Sequence, residues 1–263
     1  MGEVDMQTLK DLRAITQAPL KDCKDALQES GGDLERAQKI LREKGAIKAA
    51  NKADRATNEG VVMIKQYGDK TVGLKLACET DFVAKNDTFR SLATQIVDQL
   101  SNEQDFASYA QLWEATKEAV NTVLKDNFVT IGENMQILDA FVATGNAYVY
   151  RHPGDKVASV VFYAGDENVA KEVALQVAAM QPTYLSVDDV PAETVNELTT
   201  MFSAELKESN KPADIVEKIV AGKLAKEWGE LVLLEQTSIV DDTKKIKDRL
   251  WTTVIQKYIR YGI

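Results

Sequence analysis

The chain has one histidine and two cysteines in 263 residues, and each scarcity removes a class of chemistry. A serine-histidine-aspartate site would have to be built around His152, which precedes Pro153 in an apparent hairpin turn. A histidine in such a turn more often serves structure or a partner contact. Cys23 and Cys78 stand far apart with no metal-ligand or redox spacing, so they read as two reduced thiols. No apolar run approaches the ~20 residues of a membrane span, and the start, Met1 to Met6, is acidic where signal and transit peptides are basic. Met6 also stands where a myristoylation motif needs Ser or Thr. Glycine-rich phosphate loops, dinucleotide fingerprints and nucleophile elbows are missing. Asn51-Lys52-Ala53-Asp54 has the N-K-x-D form that reads guanine in GTPases, but with no phosphate loop it has no site to belong to. Asp188-Asp189 and Asp241-Asp242 read as solvated loops or helix caps. The expectation is a protein without catalytic residues, cofactor or metal.

Positive charge is also short: 32 Lys and Arg stand against 41 Asp and Glu, a net charge of −9. Phosphate contacts need the opposite surplus, so no direct nucleic-acid role is expected, nor any membrane partner. With 44% hydrophobic and 28% charged residues, the chain can bury a core and work in solution.

Residues 8–45 read as three short helices. Thr8 and Asp11 form a start signal, with Leu9, Leu12 and Ile15 following at helical spacing. A second helix places Leu20, Cys23, Ala26 and Leu27 on one face, and Gly31-Gly32 stops it. Asp33 caps a third, with Leu34, Ala37, Ile40 and Leu41 inward. The polar stretch from Ala46 to Glu59 reads as a linker.

The middle of the chain repeats itself. Val61–Tyr67, a turn at Gly68-Asp69, the strand Val72–Cys78 and a helix over 87–100 are echoed later. The echo is Ala147–Tyr150, a turn at Gly154-Asp155, the strand Val157–Tyr163 and a helix over 167–180. Each unit is a hairpin feeding a helix that covers one sheet face. The two differ most between strand and helix: the second has a short turn, Ala164–Asn168, and the first has the longer Glu79–Asp87. An insertion carrying an aromatic residue on a repeated scaffold is where function tends to sit, which singles out Phe82. On composition alone, Phe82 tucked back into its own core is the competing reading. Further on, Pro191 opens a helix that Asn210-Lys211-Pro212 breaks, and a second apolar-striped helix follows, making an antiparallel helical hairpin. Lys245–Ile263 reads as a helix running into a short strand.

Thr80-Asp81-Phe82-Val83-Ala84-Lys85 resembles the signature of the elongation factor Ts family. Leu12-Arg13, Thr16, Asp22-Cys23-Lys24 and Ala26-Leu27 resemble its N-terminal domain, Ile131-Gly132-Glu133-Asn134 its I-G-E-N strand, and Leu234-Glu235-Gln236 the residues after its helical hairpin. The resemblance covers nearly the whole chain. It implies an α+β protein with an N-terminal three-helix ubiquitin-associated-like bundle, two repeated hairpin-plus-helix subdomains and a protruding helical hairpin. The implied divisions are 1–55 (bundle and linker), 56–140, 141–187, 188–236 (hairpin) and 237–263.

The function implied by the resemblance is release of GDP from the GTPase elongation factor Tu, in a bacterial cytoplasm or an organelle interior. Thr80, Asp81, Phe82 and Val83 would disturb the partner's Mg²⁺ and phosphate site. Arg13, Leu20, Lys24, Ile131, Gly132, His152, Ile239 and Val240 would make further partner contacts. The helical hairpin serves self-association in some members and stays solvated in others. Two departures stand out: Leu20-Lys21 replace a frequent pair of methionines, and the sequence ends at Ile263 where many members continue into a helix. A competing reading makes the N-terminal bundle an adaptor for ubiquitin-like or helical ligands.

Overall fold

The computed structural model describes residues 4–106, 108–206 and 212–263, with secondary structure of the α+β class. The chain divides into two compact units, residues 1–144 with 262–263, and residues 145–261.

The first unit opens with three helices, α1 (Met6–Thr16), α2 (Leu20–Ser30) and α3 (Leu34–Ala50). Leu12, Cys23, Ala26, Leu27 and Ala37 are fully buried among them. The start signal differs from the predicted one. Asp5 is the N-cap, and its carboxylate accepts the backbone N–H of Thr8 at 2.9 Å, so the helix begins two residues before Thr8. Asp33 caps α3 as expected, accepting the N–H of Arg36 at 2.9 Å. Gly31 ends α2 at φ 71°, a left-handed conformation that costs glycine little. Leu20 and Ile15, predicted inward, are 53% and 59% exposed, each in a terminal turn of its helix.

Of the predicted linker, residues 46–50 continue α3 and Glu59 begins a strand, with turns over 51–54 between them. Gly45 makes the continuation useful. A Cβ there would stand 2.4 Å from Cγ2 of Val129, so glycine lets α3 lie close against α6 (Tyr109–Ile131). The hydroxyl of Thr130 donates to the carbonyl of Thr16 at 2.9 Å, tying the bundle to the same helix. Asn51 and Lys52 of the N-K-x-D stretch are helix-end residues, and the Lys52 ammonium donates to the carbonyl of Gly132.

Strands β1 (Glu59–Tyr67), β2 (Lys70–Cys78) and β3 (Met135–Thr144) form an antiparallel sheet in the order β1-β2-β3. Gly68 and Asp69 make the two-residue turn between the first two. Val72, Leu74, Leu76 and Cys78 alternate onto one face of β2 with no exposed surface. They pack on the apolar stripe Phe89, Leu92, Ala93, Ile96 and Val97 of α5 (Asp87–Leu100). Between Lys75 and Leu76 the register slips, so Leu138 on β3 is an extra residue and stands 40% exposed.

The second unit repeats the scheme. Strands β4 (Ala147–Arg151), β5 (Val157–Ala164) and β6 (Val254–Gly262) form a sheet in that order. Val161, Val169, Ala170, Val173, Ala174 and Val177 join it to α7 (Glu167–Met180) in one core. Helices α8 (Ala192–Leu206) and α9 (Ala213–Leu231) pack on each other with Phe202 and Val220 buried. Asn210 and Lys211, expected to break the hairpin, lie outside the described residues. The base of the hairpin is zipped: the N–H groups of Thr183 and Tyr184 donate to the carbonyl of Leu231, and that of Leu233 to Tyr184. The last predicted helix shrinks to one turn, α10 (Ile246–Arg249), before β6.

Candidate partner-binding site

The insertion after β2 is built around a four-residue helix, α4 (Asp81–Ala84). Ala84 is buried and Val83 packs against the core beneath the sheet, so the helix is anchored from below. Phe82 lies on the other side and is 82% exposed. The competing expectation, a phenylalanine folded into its own core, is thereby excluded. An exposed phenylalanine on an anchored turn is a costly surface to leave in water, burial in a receiving pocket being worth roughly 1.5–3 kcal/mol. Asp81 sits beside it and accepts from the Lys85 ammonium at 2.8 Å. That bond holds the Asp81 carboxyl below its ordinary range and pushes the Lys85 ammonium up.

The base of the insertion is held by residues singled out only as part of longer motifs. The Glu133 carboxylate accepts the N–H of Glu79 at 3.1 Å, the N–H of Thr80 at 3.0 Å and the hydroxyl of Thr80 at 2.6 Å. Thr80 in turn caps α4, its oxygen accepting the N–H of Val83 at 3.4 Å. In the opposite direction, the N–H of Asn134 donates to Glu79 at 2.7 Å and the Arg55 guanidinium donates to it at 3.1 Å. These two donors, Asn134 first, hold the Glu79 carboxyl below the usual glutamate range. The side-chain amide of Asn134 reaches the carbonyls of Ala53 and Arg55 at 3.0 and 2.9 Å.

Ile131 and Gly132 belong to this cluster, though not as a strand. Ile131 is the last residue of α6, half-buried against the core, and Gly132 caps the helix at φ 74° before β3 begins at Met135. The I-G-E-N segment is thus a helix end turning into a strand. Arg13, Leu20 and Lys24 are exposed on α1 and α2 of the same unit.

In the second unit, His152 and Ile239 line one cleft of about 300 Å³, with Tyr150, Val157, Leu175, Ala178 and Ala179. The Tyr150 hydroxyl and Nδ1 of His152 are 3.0 Å apart. Ile239 and Val240 are 48% and 53% exposed, on a segment fixed from within by Gln176. The side chain of Gln176, fully buried, accepts the N–H of Ile239 at 2.9 Å. It donates to Gln236 Oε1 and the Thr237 carbonyl at 3.1 and 3.0 Å. Gln176 was not readable as a site residue, because an isolated glutamine in an apolar helix carries no signal until its partners are known.

Among the described residues, no group of three or more His, Cys, Asp or Glu side chains is placed to hold a metal ion, and no helix is long and apolar enough to cross a membrane. Each unit presents exposed apolar side chains on hydrogen-bonded backbone, Phe82 in the first and Ile239 and Val240 in the second.

A family model described as Elongation factor TS matches residues 79–263. Elongation factor Ts of Hydrogenobaculum sp. (strain Y04AAS1) is 38% identical over 252 residues, covering 93% of this chain and 92% of its own length. That of Aquifex aeolicus (strain VF5) is 36% identical over 264 residues, with 93% and 91% covered. That of Acinetobacter baylyi (strain ATCC 33305 / BD413 / ADP1) is 35% identical over 268 residues, with 100% and 92% covered. The chain therefore belongs to the elongation factor Ts family.

Proposed function

We propose that this chain is the nucleotide-exchange factor of elongation factor Tu, and that it loosens bound GDP by inserting Phe82 and Asp81 beside the partner's Mg²⁺ and phosphate site. The observation that carries the reading is Phe82, 82% exposed on a helical turn whose other side is buried in the core. Such a residue makes little contact at home and fits a receiving pocket elsewhere.

The chemistry is linkage, with no bond made or broken. A factor that binds the nucleotide-free partner more tightly than the GDP-bound form must weaken GDP by the same factor as GDP weakens it, tenfold for each ~1.4 kcal/mol of coupling. The ratio of GDP to GTP affinity of the free partner is untouched; only the barrier to exchange falls. Arg13, Leu20 and Lys24 on the bundle, and His152, Ile239 and Val240 at the second unit's cleft, would supply binding away from the nucleotide. Ile131 and Gly132, at the end of α6, would add partner contacts from the first unit. Asp81 need not ligate the metal; it can compete for groups that order the metal's outer shell.

The test is release of labelled GDP from elongation factor Tu with and without this chain, and with Phe82→Ala. The wild-type chain should accelerate release. The variant should slow it by about tenfold or more, the equivalent of one lost phenylalanine contact, and its thermal midpoint should match wild type. Release by the variant at the wild-type rate would remove Phe82 from the mechanism.

A further inference from the structure

The turn that carries Phe82 is held by one carboxylate from a different part of the chain. Cys78 is the last residue of β2 paired with β3, opposite Met135. Beyond it the N–H groups of Glu79 and Thr80 have no strand to donate to, and half-buried backbone donors must find partners. One oxygen of Glu133 takes both, and its other oxygen takes the Thr80 hydroxyl. The last contact reaches further than its length suggests. By donating its proton to Glu133, the Thr80 hydroxyl keeps a lone pair for the N–H of Val83, the first capping bond of α4. A four-residue helix cannot stand alone. Its direction is set by this cap and by buried Ala84, and that direction decides where Phe82 points.

Glu133 is itself fixed. It follows Gly132, which ends α6 in the left-handed conformation and whose carbonyl accepts from Lys52. It precedes Asn134, which is buried and bonded to Glu79, Ala53 and Arg55. Glu79 and Glu133 thus cross-brace two chain segments, each side chain accepting backbone N–H groups of the other's segment.

We infer that Glu133 is a positioning residue for nucleotide exchange, holding the Thr80 cap and the exit from β2 so that Phe82 is presented already in its inserting orientation. The inference rests on the wedge reading of Phe82. Pre-ordering spares the complex the cost of ordering the turn at the moment of insertion. Docking through the bundle and the second unit does not depend on the turn, so the two steps separate in a kinetic experiment.

The experiment uses the full chain and elongation factor Tu loaded with a fluorescent GDP, with release followed while the factor is titrated. Glu133→Ala is expected to lower the maximal release rate by roughly tenfold and to move the half-saturating factor concentration by less than about twofold. Glu133→Gln keeps an oxygen for the backbone N–H groups but turns a donor toward Thr80, and should fall between Ala and wild type. In hydrogen exchange of the free factor, the Glu79 and Thr80 amides should lose protection in Glu133→Ala while those of β1 and α5 keep theirs. Added to Phe82→Ala, Glu133→Ala should slow release little further, because both act through one side chain.

A wild-type maximal rate in Glu133→Ala and Glu133→Gln, with Phe82→Ala slow, would overturn the role of Glu133 and leave the wedge standing. So would full additivity of the two substitutions, which would mark a general structural effect. If Phe82→Ala itself releases GDP at the wild-type rate, the wedge reading fails first. Should Glu133→Ala fail to fold, Glu133→Gln carries the same comparison.

Discussion

Lys85 and Asp81 close an ion pair of 2.8 Å across the one helical turn that carries Phe82. Their side chains are 71% and 44% exposed, and pairs this open contribute little to stability. The pair therefore matters for what Asp81 can do on meeting a partner, since the bond to Lys85 must open or travel with it. Asp81→Asn should leave the thermal midpoint unmoved and slow GDP release from elongation factor Tu by roughly tenfold, the effect of losing a hydrogen bond to a charged group. Lys85→Met should also leave the midpoint unmoved and slow release less than Asp81→Asn does. A lowered midpoint in either variant would show that the pair holds the turn together.

Glu79 sets a pH dependence at the base of the same turn. Its carboxyl is held below the ordinary glutamate value of about 4.3 by the Asn134 N–H and by Arg55. A depressed value means the folded state prefers the charged form. The stabilisation is thus fully present above about pH 4.3 and is lost as pH falls through the lowered value. In denaturant unfolding between pH 7 and pH 3, Glu79→Gln should lose less stability on acidification than wild type. Equal slopes would remove Glu79 from the acid transition.

Gln176 offers a separate test in the second unit. Replacing it with leucine keeps the volume but strands the N–H of Ile239, the carbonyl of Thr237 and Gln236 Oε1. Unpaired buried groups cost about 1–3 kcal/mol each when water cannot replace the partner. Only the Gln236 contact is fully buried, so Gln176→Leu should lower stability by about 1–3 kcal/mol, measured by denaturant unfolding. Faster amide exchange at Ile239 should accompany the loss.

Gly73 tests the packing of the first sheet. A Cβ at this position would lie 2.1 Å from Cε1 of Phe141, whose ring lies across the glycine from the neighbouring strand. Gly73→Ala forces the ring aside and should cost about 1–3 kcal/mol. The double variant Gly73→Ala with Phe141→Leu should recover part of it, read as a smaller shift in the denaturation midpoint.

Much of the fold was legible because its signals are local. The hairpin turn at Gly68-Asp69, the helix over 87–100 with its one-sided stripe from Phe89 to Leu100, and the Gly31 stop all depend on residues close in sequence. Helix α6 drew no such expectation. Yet Leu112, Trp113, Thr116, Val120, Val123, Leu124 and Phe128 recur along it at helical spacing and are buried or packed on the first unit's core, so the signal was present in the sequence and went unread. Leu20 and Ile15 were misplaced because helical spacing runs on into a helix's terminal turns whether or not they are covered, and both lie exposed in such turns.

The sequence by itself determined the repeated hairpin-and-helix units, the long insertion that separates them, and the aromatic residue within it. Tertiary structure alone decided that Phe82 points out of its own core, since exposure depends on what Ala84 and Val83 pack against. It alone also brought Glu133 to Thr80, 53 residues apart in the chain. That pairing follows from β2 and β3 lying side by side, with α4, α5 and α6 between them in the chain, and no local pattern encodes which strand will be the neighbour.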